Sequence, residues 1–186
     1  MAMNDSEIGS VRRILAAARF AAEKHAQQKR KGTAGEPYFN HLLEVAELVA
    51  SSDHLDVELV MAAFLHDTVE DTGVTLQELE QRFGKDVAAL VDEVTDDKSL
   101  PKEVRKRLQV QNAHKKSERA QTLKLADKIS NLRSILASPP AGWDRERKQQ
   151  YFEWARQVVA GLAAPNPFLK TEFDKTYSMI SQLKDS

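Results

Sequence analysis

Apolar residues recur at threes and fours along most of this chain, the spacing that lines one face of an α-helix. Val11, Ile14, Leu15, Ala18, Ala22 and His25 form such a stripe and predict a helix over 6–28. Residues 27–35 break the pattern with a basic cluster and two glycines, so they read as a loop. Pro37 opens a second helix with His41 in its first turn; Leu42, Val45, Ala46 and Val49 are its apolar face, and Ser51, Ser52 and Asp53 close it. Residues 59–65 are apolar on every side, the mark of a helix buried all round, and Asp56 is placed to cap it. Thr72-Gly73 is a turn, and Thr75 with Glu78 has the form of a capping box for a short helix ending at Phe83-Gly84. Further helices are predicted over 86–94, 101–116, 120–136, 144–162 and 168–183, separated by the 95–99 loop, Pro139-Pro140 and Pro165-Asn166-Pro167. The 101–116 helix is strongly charged, with Val104, Leu108 and Val110 its few apolar positions. No repeat and no alternating strand pattern is present. The expectation is all-α: a single compact bundle of about eight to ten helices, with a core over about 6–164 and a last helix, within 165–186, packed on it.

Composition narrows the function more than the fold. A net charge of −1 gives no global field toward nucleic acid or anionic lipid, so neither is an expected partner, and an anionic substrate needs a local cluster of Lys and Arg. With no cysteine, disulfides and thiolate metal sites are excluded. No apolar run reaches the roughly 18 residues that span a bilayer. The N-terminus, with Asp5, Glu7, Arg12 and Arg13, makes a poor signal peptide, so a cytoplasmic location is expected. Nothing in the pattern sets an oligomeric state.

The chemistry concentrates where the apolar helix runs into His66-Asp67 and then Glu70-Asp71. Buried charge is costly unless it is paired or binds a metal. His66 with Glu70, and Asp67 with Asp71, are four apart, so on a helix all four crowd one end. The bland alternative is a helix end fraying into solvent with His66 capping it. His41 and Asp127, the latter inside an otherwise apolar helix, complete a set of two imidazoles and two carboxylates suited to Mn²⁺, Fe²⁺ or Zn²⁺. Taken singly, each has a blander reading: a satisfied histidine, and an aspartate in a solvated pair with Lys128.

Together, His41, His66-Asp67 and Asp127 resemble the metal signature of the HD-domain phosphohydrolases. The flanking residues sharpen this: Arg30-Lys31, Gly35-Glu36-Pro37-Tyr38 before Asn40-His41, the run from His66 to Thr72, and Leu125-Ala126-Asp127-Lys128 with Asn131-Leu132-Arg133. These are similar to the hydrolase domain of RelA/SpoT-type alarmone enzymes. The runs from Glu93 to Lys98 and from Tyr151 to Ala155 resemble the stand-alone branch, the small alarmone hydrolases. The resemblance covers residues 10–165. It implies hydrolysis of guanosine 3′,5′-bis(diphosphate), (p)ppGpp, at its 3′ side, giving GDP or GTP and pyrophosphate, with a divalent metal, Mn²⁺, on His41, His66, Asp67 and Asp127.

The residues fit that chemistry. Glu70 and Asp71 are candidates to orient the nucleophilic water and take its proton; a pair of adjacent carboxylates holds one of them at a raised pKa. The blander role is to cap a neighbouring helix or to orient a ligand. Asn131 shares a helical face with Asp127 and is a candidate for ribose or phosphate, a contact the resemblance also places there. Arg30 stacks on a purine or lies in a solvated loop; Lys31 meets phosphate as a point charge. Tyr38 and Tyr151 line the nucleoside pocket or pack in the core. Lys98, Lys102, Arg105 and Lys106 are a second basic group for the 5′-diphosphate, or a solvated charge run. Two alternatives stand: the same site acting on another ribose-phosphate nucleotide such as NADPH, and a nucleotide-sensing module without turnover.

Overall fold

This computed structural model describes residues 5–51 and 55–183, apart from the side chain of Asp5; the expected closure of the second helix at Ser52 and Asp53 lies outside them. Ten α-helices build the described residues. α3 (Val57–Leu65) is the central rod, with every residue from Leu59 to Leu65 at most 5% exposed. α1 (Asp5–Lys24) and α2 (Phe39–Ala50) pack on it from one side and α6 (Lys85–Val94) from another. α8 (Glu118–Ala137) lies across α2 and α6 and is buried all round from Leu123 to Ser130. α10 (Pro167–Ser178) covers α8. α4 (Thr68–Asp71) is a single turn, and α5 (Leu76–Phe83) pairs with α6. α7 (Lys102–Asn112) and α9 (Arg145–Ala160) pack on each other at the outside. Two 3₁₀ turns, Ala113–Lys115 and Met179–Gln182, end the charged helix and the last helix. No helix of the described residues is long and apolar enough to cross a membrane.

Local chemistry explains the boundaries. The side chains of Asp56, Ser117, Asp144 and Asn166 each accept a backbone N–H of the first turn they precede. Thr75 does the same for Glu78, but the reciprocal half of the capping box is missing because Glu78 turns to Arg82 instead, 3.1 Å away. α2 begins at Phe39 rather than Pro37, since Pro37 is held in an antiparallel bridge to Lys29.

The buried face of α1 differs from expectation. Val11 and Leu15 are exposed, and α1 stops at Lys24, short of Gln28. The contact face lies round the helix, on Ala17, Phe20 and Ala21 with Ile14 and Ala18 beside them. The physical reason is fit. Ala17 and Ala21 let α1 lie close against α3, and Phe20 carries the largest apolar surface into an edge contact with Phe83, ring centroids 5.3 Å apart.

The loop after α1 is pinned at both ends of a small hairpin-like excursion. Arg30 N–H donates to Glu36 O, Thr33 N–H to Pro139 O, and Ala34 N–H to Ser138 Oγ. At Gly32 a Cβ would sit 2.3 Å from Ser138 O, so only glycine allows this approach to the end of α8. The basic residues Arg30 and Lys31 are thereby carried by a loop seated on the α8–α9 connection.

Candidate metal centre and nucleotide cleft

α3 ends at Leu65, and that break builds the site. Neighbouring residues of a continuous helix point well apart and do not face one another. Here the side chains of His66 and Thr68 capture the last carbonyls of α3: His66 Nδ1–H donates to Ala63 O (2.8 Å) and Thr68 Oγ1–H to Leu65 O (2.6 Å). The chain turns, and Asp67 stands just before α4, at its N-cap position, without capping it through its side chain. Its carboxylate swings back instead, with Oδ2 3.0 Å from His66 Nε2 and 3.6 Å from His41 Nε2. The expected single helix carrying all four ionisable groups is therefore two helices with a kink between His66 and Asp67. His66 does cap α3, as the bland reading had it, but with Nδ1 only.

His41, in the first turn of α2, and Asp127, mid-way along α8, meet this kink. The ligand atoms of His41, His66 and Asp127 all lie within 4.8 Å of one another. Asp127 Oδ1 is 3.5 Å from His41 Nε2 and 4.0 Å from His66 Nε2. All three residues are buried. Each imidazole is oriented from behind: His41 Nδ1 meets Ser130 Oγ at 2.8 Å, and that hydroxyl donates to Glu44 Oε2 at 2.6 Å. Ser130 must then accept from His41 Nδ1–H, which leaves the Nε2 lone pair facing the centre. Arg133 bridges Glu44 to Glu172 of α10, so the chain of contacts reaches the outer helix.

A divalent metal fits this arrangement. His66 Nε2 is buried with no hydrogen bond, an orphaned lone pair aimed at the two carboxylates. The donors are two imidazole nitrogens and two carboxylates, a borderline-hard set. The charge balance agrees. Burial opposes an imidazolium, yet Asp67 and then Asp127 outweigh it and raise His66 to about 9, so the centre calls for positive charge. Asp127 is held well below the usual carboxylate range against its burial, first by Lys128 at 2.9 Å and then by His41. Tyr38 O–H donates to Asp67 Oδ2 at 2.5 Å, and Asn131 Nδ2 to Asp127 Oδ1 at 2.5 Å. Burial and Asp67 keep Tyr38 a phenol.

Beside the centre opens a cleft of about 310 Å³. Asp67, Glu70 and Asp71 form its acidic wall, and Arg30, Lys31, Lys98 and Lys102 its basic rim. Tyr38, Asn131, Trp143 and Tyr151 are among its other lining residues. Arg30 donates to Asn131 Oδ1 at 3.0 Å and lies over the Tyr38 ring, 5.7 Å from its centroid. Tyr151 packs between Trp143 and Trp154 and also lines the cleft. Arg105 is different: it is not among the cleft-lining residues, and its Nε is buried without a hydrogen bond. It lies on α7 one turn before Gln109, which donates to Asp96 Oδ2 at 2.6 Å, and Asp96 belongs to the loop after α6. Lys106 lies over the rings of Trp154 and Tyr151 and is not among the cleft-lining residues.

The 95–99 loop is a clamp on the acidic pair. Asp96 N–H donates to Glu70 Oε1 at 2.8 Å, and Lys98 Nζ lies 2.8 Å from Asp71 Oδ1 and 3.5 Å from Glu70 Oε2. Burial raises Glu70 above the ordinary carboxylate range despite the Asp96 amide. Lys116 and Lys124 anchor the loop by donating to the terminal carbonyls of α6, Glu93 O and Val94 O.

Several contributors escaped the sequence reading. Gln28 contacts Asp71 and Ser130 contacts His41, with Glu44 behind Ser130, and each of these partners is 43 residues away or more along the chain. Lys128, solvated only in the blander reading of Asp127, is buried, ion-paired to Asp127 and 4.4 Å over the Trp154 ring. The available signal was its place in an apolar stretch of α8.

An all-α bundle with His41, His66 and Asp127 grouped so that they could hold a metal points to the HD class of hydrolase. A family model described as HD domain matches residues 17–166, and the chain belongs to the HD-domain family. Within it the chain is 53% identical over 154 residues to the human guanosine-3′,5′-bis(diphosphate) 3′-pyrophosphohydrolase MESH1, covering 82% of this chain and 86% of that one. The Xenopus tropicalis MESH1 is 49% identical over 165 residues, covering 88% and 92%. A solved structure described as a metazoan ortholog of SpoT that hydrolyzes ppGpp superposes with a TM-score of 0.86 at 45% identity, covering 90% of this chain and 94% of that one. A Listeria monocytogenes structure, lmo0812, superposes with a TM-score of 0.64 at 28% identity, covering 76% of this chain and 99% of that one.

Proposed function

We propose that this chain hydrolyses (p)ppGpp at its 3′ side, releasing pyrophosphate and leaving GDP or GTP. The observation that carries the reading is the kinked His66-Asp67 corner, which gathers both imidazoles, both aspartates and the Glu70/Asp71 pair at the mouth of a basic cleft. The named activity of the MESH1 relatives supports it.

His41, His66, Asp67 and Asp127 would hold the divalent metal, Mn²⁺ in this proposal. When bound, it supplies a Lewis acid that polarises a phosphate oxygen and acidifies water. The chain's own residues do the rest. Arg30, Lys31, Lys98 and Lys102 receive phosphates, and Arg30 and Tyr151 offer flat surfaces to the base. Water adds to the phosphorus next to the ribose and the bond from that phosphorus to O3′ breaks. Glu70 takes the proton of the water on Oε2, the oxygen that the Asp96 amide leaves free, and a proton returns to O3′. Burial raises the pKa of Glu70, which makes it a stronger base than an ordinary carboxylate. Asp71 holds Lys98 against the pair and so fixes Glu70 and the phosphate-facing ammonium together. A cysteine-free chain is compatible with a reducing cytoplasm.

The test is product identification. Purified protein is incubated with ppGpp in Mn²⁺ or in EDTA, and with NADPH in parallel. Pyrophosphate and GDP from ppGpp, lost in EDTA, is the expected result. Orthophosphate from NADPH with ppGpp untouched would move the substrate assignment, and turnover unaffected by EDTA would remove the metal from it.

A further inference from the structure

We infer that buried His25, acting through half-buried Gln28, forms a relay that positions the Asp71 carboxylate for turnover. The inference rests on Asp71 serving the reaction as proposed above. Gln28 Nε2 donates to Asp71 Oδ2 at 2.9 Å, and Gln28 Oε1 lies 2.6 Å from His25 Nδ1. The carboxylate accepts only, so it selects the amide orientation: NH₂ toward Asp71, oxygen toward His25. That oxygen in turn requires a proton on His25 Nδ1. A single order of donors therefore runs from His25 through Gln28 to Asp71.

The relay is rigid where it starts. His25 is 2% exposed, and its ring stacks on Tyr38 at 5.1 Å and 22°. Its Nε2 is buried without a hydrogen bond, so Nδ1 is the atom through which the ring acts on its neighbours. Backbone bonds fix the turn as well: Gln28 N–H donates to His25 O and Tyr38 N–H to Gln28 O, both at 2.9 Å. Asp71 is thus gripped from two sides, by this fixed amide at Oδ2 and by Lys98 at Oδ1. Lys98 has a side chain 47% exposed on a flexible stem, so of the two it is Gln28 that sets the direction of the carboxylate.

Kinetics of H25F, H25N, Q28A, H25F/Q28A and D71N separate the roles, with thermal melts to verify folding and metal content measured for each. Phe keeps the ring on Tyr38 and removes the donor; Asn keeps a donor near the position of Nδ1 and removes the ring. Expected are a fall of about tenfold in kcat for H25F and Q28A, the scale of one hydrogen bond to a charged group, with KM and metal content nearly unchanged. H25N should recover most of the rate, and the double variant should be no slower than Q28A alone. Wild-type rates for H25F or Q28A overturn the relay, as does an H25N that is as slow as H25F, since histidine would then act through its ring. A D71N enzyme at wild-type rate would overturn the role of Asp71 itself; a slow D71N beside fast H25F and Q28A would overturn the relay alone.

Discussion

The metal centre and the basic rim of the cleft face each other across a few side chains, yet they are built by opposite means. His41, His66 and Asp127 are nearly inaccessible, and each is held by a second buried partner: Ser130, Ala63 O and Lys128. Lys31, Lys98 and Lys102 are exposed, on long stems, and Lys98 owes its place to the two carboxylates it pairs with. At the centre the two imidazoles and Asp127 are largely dehydrated, so a missing partner there costs most of its desolvation. At the rim, water replaces whatever is lost. The difference teaches where sequence changes should be severe and where they should be graded.

The sharpest break is D127N. It removes one ligand charge and also strands Lys128, which is 3% exposed, beside Lys124, whose ammonium burial and Lys128 already disfavour. Breaking a buried pair from one side costs about 3–5 kcal/mol. D127N should therefore lose metal, lose turnover and melt well below wild type, by calorimetry. H66A should lose metal and turnover with a smaller change in melting, because no buried cation is orphaned; equal melting losses in the two variants would contradict the role given to Lys128.

E70Q comes next. It keeps the Asp96 amide bond through the glutamine carbonyl and removes the proton acceptor. A fall of about 10²–10⁴ in kcat is expected, with metal content intact by elemental analysis. S130A is milder: Glu44 and His41 lose their shared hydroxyl, and metal affinity should weaken by about 10–100-fold, measured by titration against a chelator. If S130A bound metal as tightly as wild type, the orientation of His41 from behind would carry no energetic weight.

Legibility in the sequence follows the same divide. The His66-Asp67 corner was readable because an entirely apolar helix stops there, and α3 is buried as that pattern required. Its kink was not, since it depends on Thr68 and His66 taking carbonyls of α3, which looks from the sequence like ordinary helix continuation. The face of α1 was misread because Val11 and Leu15 satisfy the same period as Ala17 and Ala21, and only the close approach of α3 chooses between them. Ser130, Glu44 and Gln28 were invisible for another reason. Their partners come from other helices, and a lone polar residue reads as solvent-facing until the fold closes over it. Arg105 shows the reverse: helical spacing put it with Lys102, but the 95–99 loop and α7 meet along the row of Gln109 and draw it away from the cleft.

The rim gives the smallest effect, and its pattern is diagnostic. Lys102 is exposed and lines the rim of the cleft. K102A should raise KM for ppGpp by a few fold, about 1 kcal/mol or less, while kcat and melting temperature stay put. The wild-type KM should itself rise with added salt over a range where kcat does not, because the rim charges are screened and the buried centre is not. K102A should show a shallower rise than wild type. If instead K102A lowered kcat at saturating substrate, this lysine would be acting on the transition state, and the contrast between a buried centre that does the chemistry and a solvated rim that gathers the anion would fail at that residue.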